Sequence, residues 1–255
     1  MKSSWDLRIA RAGELIEKNS TVSEMLKFYQ QLARFQKSIH HDLASAGEHD
    51  ASMLMPYFSP LLSLVKQSGS PALQQAADAL EKETPQSRLE LVQSIWQQEP
   101  ESRDLAPEFA FFAKALLQPY AEFLSERTAA VETDSGQVRC PFCASAPQFA
   151  VLRPEGDGGK RSLVCSLCFK EWTFRRLVCP GCGEENKDKL PVFIAEDFNF
   201  IRVEACDTCH TYIKSFDLTK DGRVVPVVDE LASVSLNLWA AEHKYQKLAP
   251  NLFGV

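Results

Sequence analysis

Along the first half of the chain, apolar residues recur at helical spacing. Met25, Leu26, Phe28, Tyr29, Leu32, Phe35 and Ile39 lie three or four positions apart, with Lys, Gln and Asp between them. One face is apolar and the other polar, which predicts an amphipathic helix opened by Asn19-Ser20-Thr21. A second such segment runs from Pro107 to Thr128, through Phe109, Phe111, Phe112, Leu116, Leu117, Tyr120, Phe123 and Leu124. Pro119 lies inside it and is expected to kink or split it, because proline has no N–H and crowds the preceding turn. Shorter helices fit 59–68, 71–82 and 85–98, each with Ser, Thr or Pro near its first turn. The stretch Ala44 to Ser59 reads as irregular. Residues 5–127 are therefore expected to be mainly helical.

Near residues 129–139 the composition turns polar, and the sequence Ala-Ala-Val-Glu-Thr-Asp-Ser-Gly-Gln-Val-Arg reads as a linker. Beyond it the apolar period falls to two. Residues 148–152, 161–165 and 171–179 alternate as short strands, with a hairpin turn at Gly156-Asp-Gly-Gly. The plan repeats at 192–194, 200–204 and 211–216. A last helical pattern covers Asp229 to Lys247, with Asp229 as its cap and Leu231, Leu236, Leu238 and Trp239 turned back onto the body. The expected fold class is α+β: a helical domain (1–130), two small metal modules (131–177 and 178–226) and a C-terminal helix with its tail (227–255).

Metal enters the picture through the cysteines. All eight form Cys-x-x-Cys pairs: Cys140/Cys143, Cys165/Cys168, Cys179/Cys182 and Cys206/Cys209. Each pair supplies half of a tetrahedral all-sulfur site, so eight ligands make two sites. The spacing reads as a duplicated unit, with 21 residues between Cys143 and Cys165 and 23 between Cys182 and Cys206. Sequential pairing of the four motifs is the simplest topology, and a cross-braced arrangement also fits the spacing. Each module would be a three-stranded ribbon too small to bury a core alone, so the metal would supply folding energy. Cys-Pro-Phe-Cys and Cys-Pro-Gly-Cys-Gly suit tight loops around sulfur. Gly183 can take the positive φ such a loop needs, whereas Ala144 at the matching place would cost on the order of 1 kcal/mol.

Disulfides are the rival use of these thiols. The N-terminus has charges every few residues and no apolar core for a signal peptide, and no run of 18 apolar residues spans a membrane. The expected compartment is the reducing cytoplasm, where structural disulfides are rare. A single redox Cys-x-x-Cys would leave three pairs unexplained. Net charge is −6, and residues 131–255 hold 15 Lys and Arg against 17 Asp and Glu, so no basic surplus marks a nucleic-acid module. No phosphate-binding loop, nucleophile elbow or dinucleotide fingerprint occurs. His40 and His41, His210, the Phe runs and the Arg175-Arg176 pair have ordinary structural readings. A closed four-cysteine site leaves no position for substrate or water, so an enzyme is not expected.

With these residues on the page, the chain resembles the formate dehydrogenase accessory protein family, FdhE. The likeness lies in Cys140-Pro-Phe-Cys143, Cys165-Ser-Leu-Cys-Phe-Lys-Glu-Trp172, Arg176-Leu-Val-Cys179 with its Cys-Pro-Gly-Cys pair, Glu204-Ala-Cys-Asp-Thr-Cys-His-Thr-Tyr-Ile-Lys214, Val228-Asp-Glu-Leu-Ala-Ser233 and Pro250-Asn-Leu-Phe-Gly254. Ala144 and His210 depart from the family, which often has Gly there. The resemblance implies a cytoplasmic maturation factor, a chaperone-like protein that binds the formate dehydrogenase catalytic subunit before its export. It implies two rubredoxin-like sites for iron or zinc, with the eight cysteines as ligands. Glu204, Thr211, Tyr212 and Lys214 are expected to shape an exposed partner face, and Trp172 and Arg176 to tie the modules together. The other readings are a zinc-ribbon adaptor for nucleic acid or protein, and a rubredoxin-like electron carrier.

Overall fold

The computed structural model describes residues 3–45, 50–128, 136–155 and 158–255. The expected linker 129–139 lies outside the described residues as far as 135. So do Gly156 and Asp157 of the expected hairpin turn, and residues 46–49 of the stretch read as irregular. The helical half contains α1 (Ser4–Lys18), α2 (Ser23–Leu43), α3 (Phe58–Ser68), α4 (Pro71–Lys82), α5 (Pro85–Gln97) and α6 (Pro107–Arg127). Local chemistry sets the starts. Ser3 and Asp6 form a reciprocal capping box on α1. Ser70 and Thr84 cap α4 and α5, each ahead of a Pro in the first turn. The part of 44–59 that is described is not all irregular, since residues 51–57 wind as 3-10 turns capped by Asp50.

Of the two outcomes expected at Pro119, a kink or a split, the split does not occur: α6 runs through it. Proline leaves the carbonyl four residues earlier without its donor, and that carbonyl belongs to Ala115. The side-chain amide of Gln36, buried on α2, donates to Ala115 O at 2.8 Å and fills the vacancy. The helix is buried on almost every side, as its apolar run demands.

The second half builds one sheet rather than two separate ribbons. Its strands are β1 (Pro147–Glu155), β2 (Gly158–Cys165), β3 (Glu171–Thr173), β4 (Val192–Phe193), β5 (Ile201–Cys206), β6 (Thr211–Asp217) and β7 (Gln246–Lys247). The order is β3-β2-β1-β6-β5-β4, with β7 against β6. Each ribbon is antiparallel inside itself, and the two meet where β1 pairs with β6 in parallel, Phe149 opposite Lys214. Joining these edges removes two rows of unpaired backbone groups from solvent. The strand read at 171–179 stops at Thr173, after which Arg175, Arg176 and Leu177 turn out into solvent.

The expected single C-terminal helix is two: α7 (Pro226–Ala232) and α8 (Val234–Glu242). They part at Ser233 because the Lys214 ammonium takes Glu230 O at 2.8 Å, Ser233 O at 3.3 Å and Ser233 Oγ at 3.0 Å. Asp229 is not the leading cap; it lies inside α7, reaches back to Val225 N at 2.8 Å and pairs with Arg11 of α1 at 2.6 Å. Leu231 packs against α1 and α2, and Leu236 packs against the sheet. Leu238 points outward instead, 63% exposed.

The helices share one core with the first ribbon and with Ile213 of β6, so the sequence boundary between them is not a gap. Leu163, Trp172, Ile213 and three cysteines join the cluster built on α2–α6. The opposite sheet face, with Phe149, Val151, Val203 and Phe216, is covered by α8. Arg8 of α1 grips Glu122 of α6 through two bonds of 2.9 and 2.8 Å, a buried pair that fixes α1 on the central helix.

Candidate metal centres

The four sulfurs of Cys140, Cys143, Cys165 and Cys168 gather at one point, and those of Cys179, Cys182, Cys206 and Cys209 at another. The motifs therefore combine sequentially, and the cross-braced arrangement is absent. Each cluster sits between two hairpin knuckles at the end of its ribbon. In all four knuckles the residue after the second Cys has positive φ: Ala144 at 55°, Phe169 at 55°, Gly183 at 78° and His210 at 56°. That turn lets Ala144, Gly183 and His210 each donate to the carbonyl of the first Cys, at 2.8–2.9 Å. The expected cost at Ala144 is thus incurred, and Phe169 and His210 carry it as well.

The sulfur spacings test the donor set. Cys143 and Cys165 lie 3.3 Å apart, Cys140 and Cys168 3.5 Å, and Cys143 and Cys168 3.6 Å. In the second cluster Cys179–Cys209 and Cys182–Cys206 are both 3.7 Å. A tetrahedron with metal–sulfur bonds of about 2.3 Å has edges of about 3.8 Å, so both clusters have nearly the size of a bound ion. A disulfide would need about 2 Å. Backbone N–H groups aim at sulfur as a charged ligand requires: Leu167 N to Cys165 Sγ and Gly181 N to Cys179 Sγ, each 3.3 Å. Burial pushes the Cys165 thiol well above its ordinary range, so four crowded thiolates need a cation among them. Burial also acts on Cys209, but hydrogen bonds led by the Thr211 hydroxyl at 3.0 Å outweigh it and hold that thiol at about 7.

The two clusters differ in exposure. Three ligands of the first are buried and lie in the core shared with the helices. Gln118 of α6 donates to Ser166 O, and Gln98 to Cys143 O, so the helical body holds both knuckles. The second cluster stands at the surface, with Cys182 exposed and Cys209 half-buried.

Comparison with known proteins agrees with this architecture. Residues 139–176 match the family model described as FdhE, central domain, and residues 177–253 match FdhE, C-terminal domain. A protein FdhE homolog of Aquifex aeolicus is 32% identical over 209 residues, 82% of this chain and 72% of that one. One from Pectobacterium carotovorum is 32% identical over 275 residues, covering 99% of this chain and 88% of its own length. The crystal structure of the FdhE protein from Pseudomonas aeruginosa superposes with a TM-score of 0.77 at 24% identity, over 100% of this chain and 97% of that one, and so shares the fold. The chain belongs to the FdhE family.

The structure relocates several residues that the FdhE resemblance had put on a partner face. Lys214 is fully buried, and Tyr212 and Trp172 are nearly so. Register explains it: Tyr212, Lys214 and Phe216 alternate onto the sheet face that α7 and α8 cover. Trp172 lies on the other face, under the helices, and its indole donates to Gln137 O at 2.8 Å. Thr211 serves the second cluster through Cys209. Glu204 is the tie between ribbons: Arg161 of β2 reaches it on β5 at 2.7 Å, and also donates to Arg175 O. Arg176 is exposed, and only this one of the six keeps a clear outward side chain.

Sequence reasoning missed Arg161, Arg11 and Glu230. Glu230 is fully buried between Lys214 at 2.9 Å and Lys247, and its other oxygen accepts from Asn251 Nδ2 at 2.6 Å. Two acids side by side within the apolar run Val224–Ala232 were the available signal. Among the described residues no helix is long and apolar enough to cross a membrane.

Proposed function

We propose that this protein is a cytoplasmic accessory factor for formate dehydrogenase, that its eight cysteines hold two metal ions, and that it binds the catalytic subunit before export. Support comes from near-full-length likeness to FdhE homologues and from two closed four-sulfur sites. The single observation that carries the reading is the contrast between the clusters. One is locked into the core and the other is presented at the surface. The buried ion would act as a folding strut. The exposed one would organise a recognition surface, because four protein ligands leave no open position for bound substrate. All-sulfur tetrahedral sites accept iron or zinc alike. Tagged protein purified anaerobically from its own cells should carry the formate dehydrogenase catalytic subunit with it. Recovery of every other subunit class but not that one would sink the proposal.

A further inference from the structure

The helical body covers only part of its sheet face. Ala150, Leu163 and Ile213 on that face are buried under helices, whereas Leu152, Arg202 and Val192 lie beyond them. A cleft of about 300 Å³ remains there, with Cys179 and Cys206 of the second cluster in its wall. Among the described residues seven large apolar side chains are exposed, and two of them line this one cleft: Leu177 (52%) and Val192 (51%). Such clustering marks a contact site rather than scattered surface.

The backbone at the cleft is also available. β4 ends the strand order, and among the described residues nothing pairs with its outer side. Pro191 O accepts from Ala205 N at 3.0 Å, so the alternation of an antiparallel ladder turns the Val192 N–H and C=O away from β5. An extended segment can add to such an edge, with main-chain bonds for affinity and side-chain pockets for selectivity.

Charge selects the segment. The one acid in the cleft wall, Glu204, is taken up by Arg161. Arg202 gives one nitrogen to Asp217 at 2.9 Å, while its Nε is buried with no partner. Arg176 on the rim has no ion pair among the described residues. Two guanidinium groups thus have donors to spare beside an apolar wall, in a chain whose net charge is −6.

We infer that the cleft docks an extended, unfolded segment of the partner protein that carries an acidic side chain next to a branched apolar one, added as a strand on β4. The inference rests on the accessory reading for the identity of the partner, but its chemistry can be tested without that partner. A random decapeptide phage library is panned against the full metal-loaded protein. The selected peptides should pair Asp or Glu with Val, Ile or Leu. They should bind Arg176→Glu and a Leu177→Ser/Val192→Ser double variant at least ten-fold more weakly, with metal content unchanged. Selected peptides that are basic, or that bind both variants within two-fold of the unaltered protein, would overturn the inference, as would no enrichment at all. The catalytic subunit is then tried on the same proteins. If it binds all of them equally, the cleft fails and the accessory reading stands. If it binds none while acidic–apolar peptides bind the unaltered protein alone, the accessory reading fails and the cleft stands.

Discussion

Replacing Cys165 by serine is expected to prevent the protein from reaching its native fold at 37 °C. Cys165 is fully buried, and its cluster lies in the core shared by the helices and β1–β3. Structural zinc sites contribute on the order of 10 kcal/mol of binding free energy, comparable with the whole stability of a domain. Loss of this ligand also strands the sulfurs of Cys140, Cys143 and Cys168, with Cys168 3.5 and 3.6 Å from the other two, without the cation that balances them. Cys182→Ser is the contrasting variant. Its side chain is exposed, so metal should leave the second cluster while most of the core persists. Near-UV circular dichroism and thermal melts decide the matter. A Cys165→Ser protein that melts within a few degrees of the unaltered chain would show that the first cluster is not a folding strut.

Glu230→Ala should cost about 3–5 kcal/mol, the usual effect of removing one partner from a buried ion pair. The substitution leaves Lys214 fully buried with only carbonyl and hydroxyl acceptors, and removes the counter-charge of Lys247. The effect has a definite pH dependence. Burial pushes the Glu230 carboxyl up, but Lys214 and Lys247 outweigh it and hold the group at about 2, below its ordinary 4.5. A depressed carboxyl stabilises the fold fully above pH 4.5, and that share, about 3 kcal/mol, is lost as pH falls toward 2. Acid also protonates the thiolate ligands, so the comparison is read over the pH range in which both proteins keep their metal. The difference in unfolding free energy between the unaltered protein and Glu230→Ala therefore isolates the carboxyl. It should be full at pH 6 and shrink steadily below 4.5. A difference under 1 kcal/mol at pH 6 would contradict the assignment.

Local rules carried most of the helical half, because capping residues and apolar spacing act within a few residues of where they are read. Ser70-Pro71 and Thr84-Pro85 start helices where the pattern puts them. The failures involve partners distant in sequence. Pro119 reads as a breaker until Gln36, on another helix, supplies the missing donor. A helix over 229–247 looks continuous until Lys214 draws off the carbonyls at its middle. The cysteine spacing made two four-sulfur sites legible, since the knuckle is local chemistry repeated four times. It carried no sign that two ribbons would fuse through β1 and β6, which depends on which edges meet. Lys214 shows where motif likeness misleads. It stands in a distinctive string with Tyr212, yet strand alternation alone puts it on the face of Tyr212 and Phe216, and that face is the core.

The most direct test of the account is formate-dependent dye reduction in cells lacking this gene, with the abundance of the catalytic subunit followed in the same cultures. Activity should be lost while the subunit is still made, and should return with the unaltered gene but not with Cys182→Ser. Undiminished activity in a host with no second copy would contradict the accessory role.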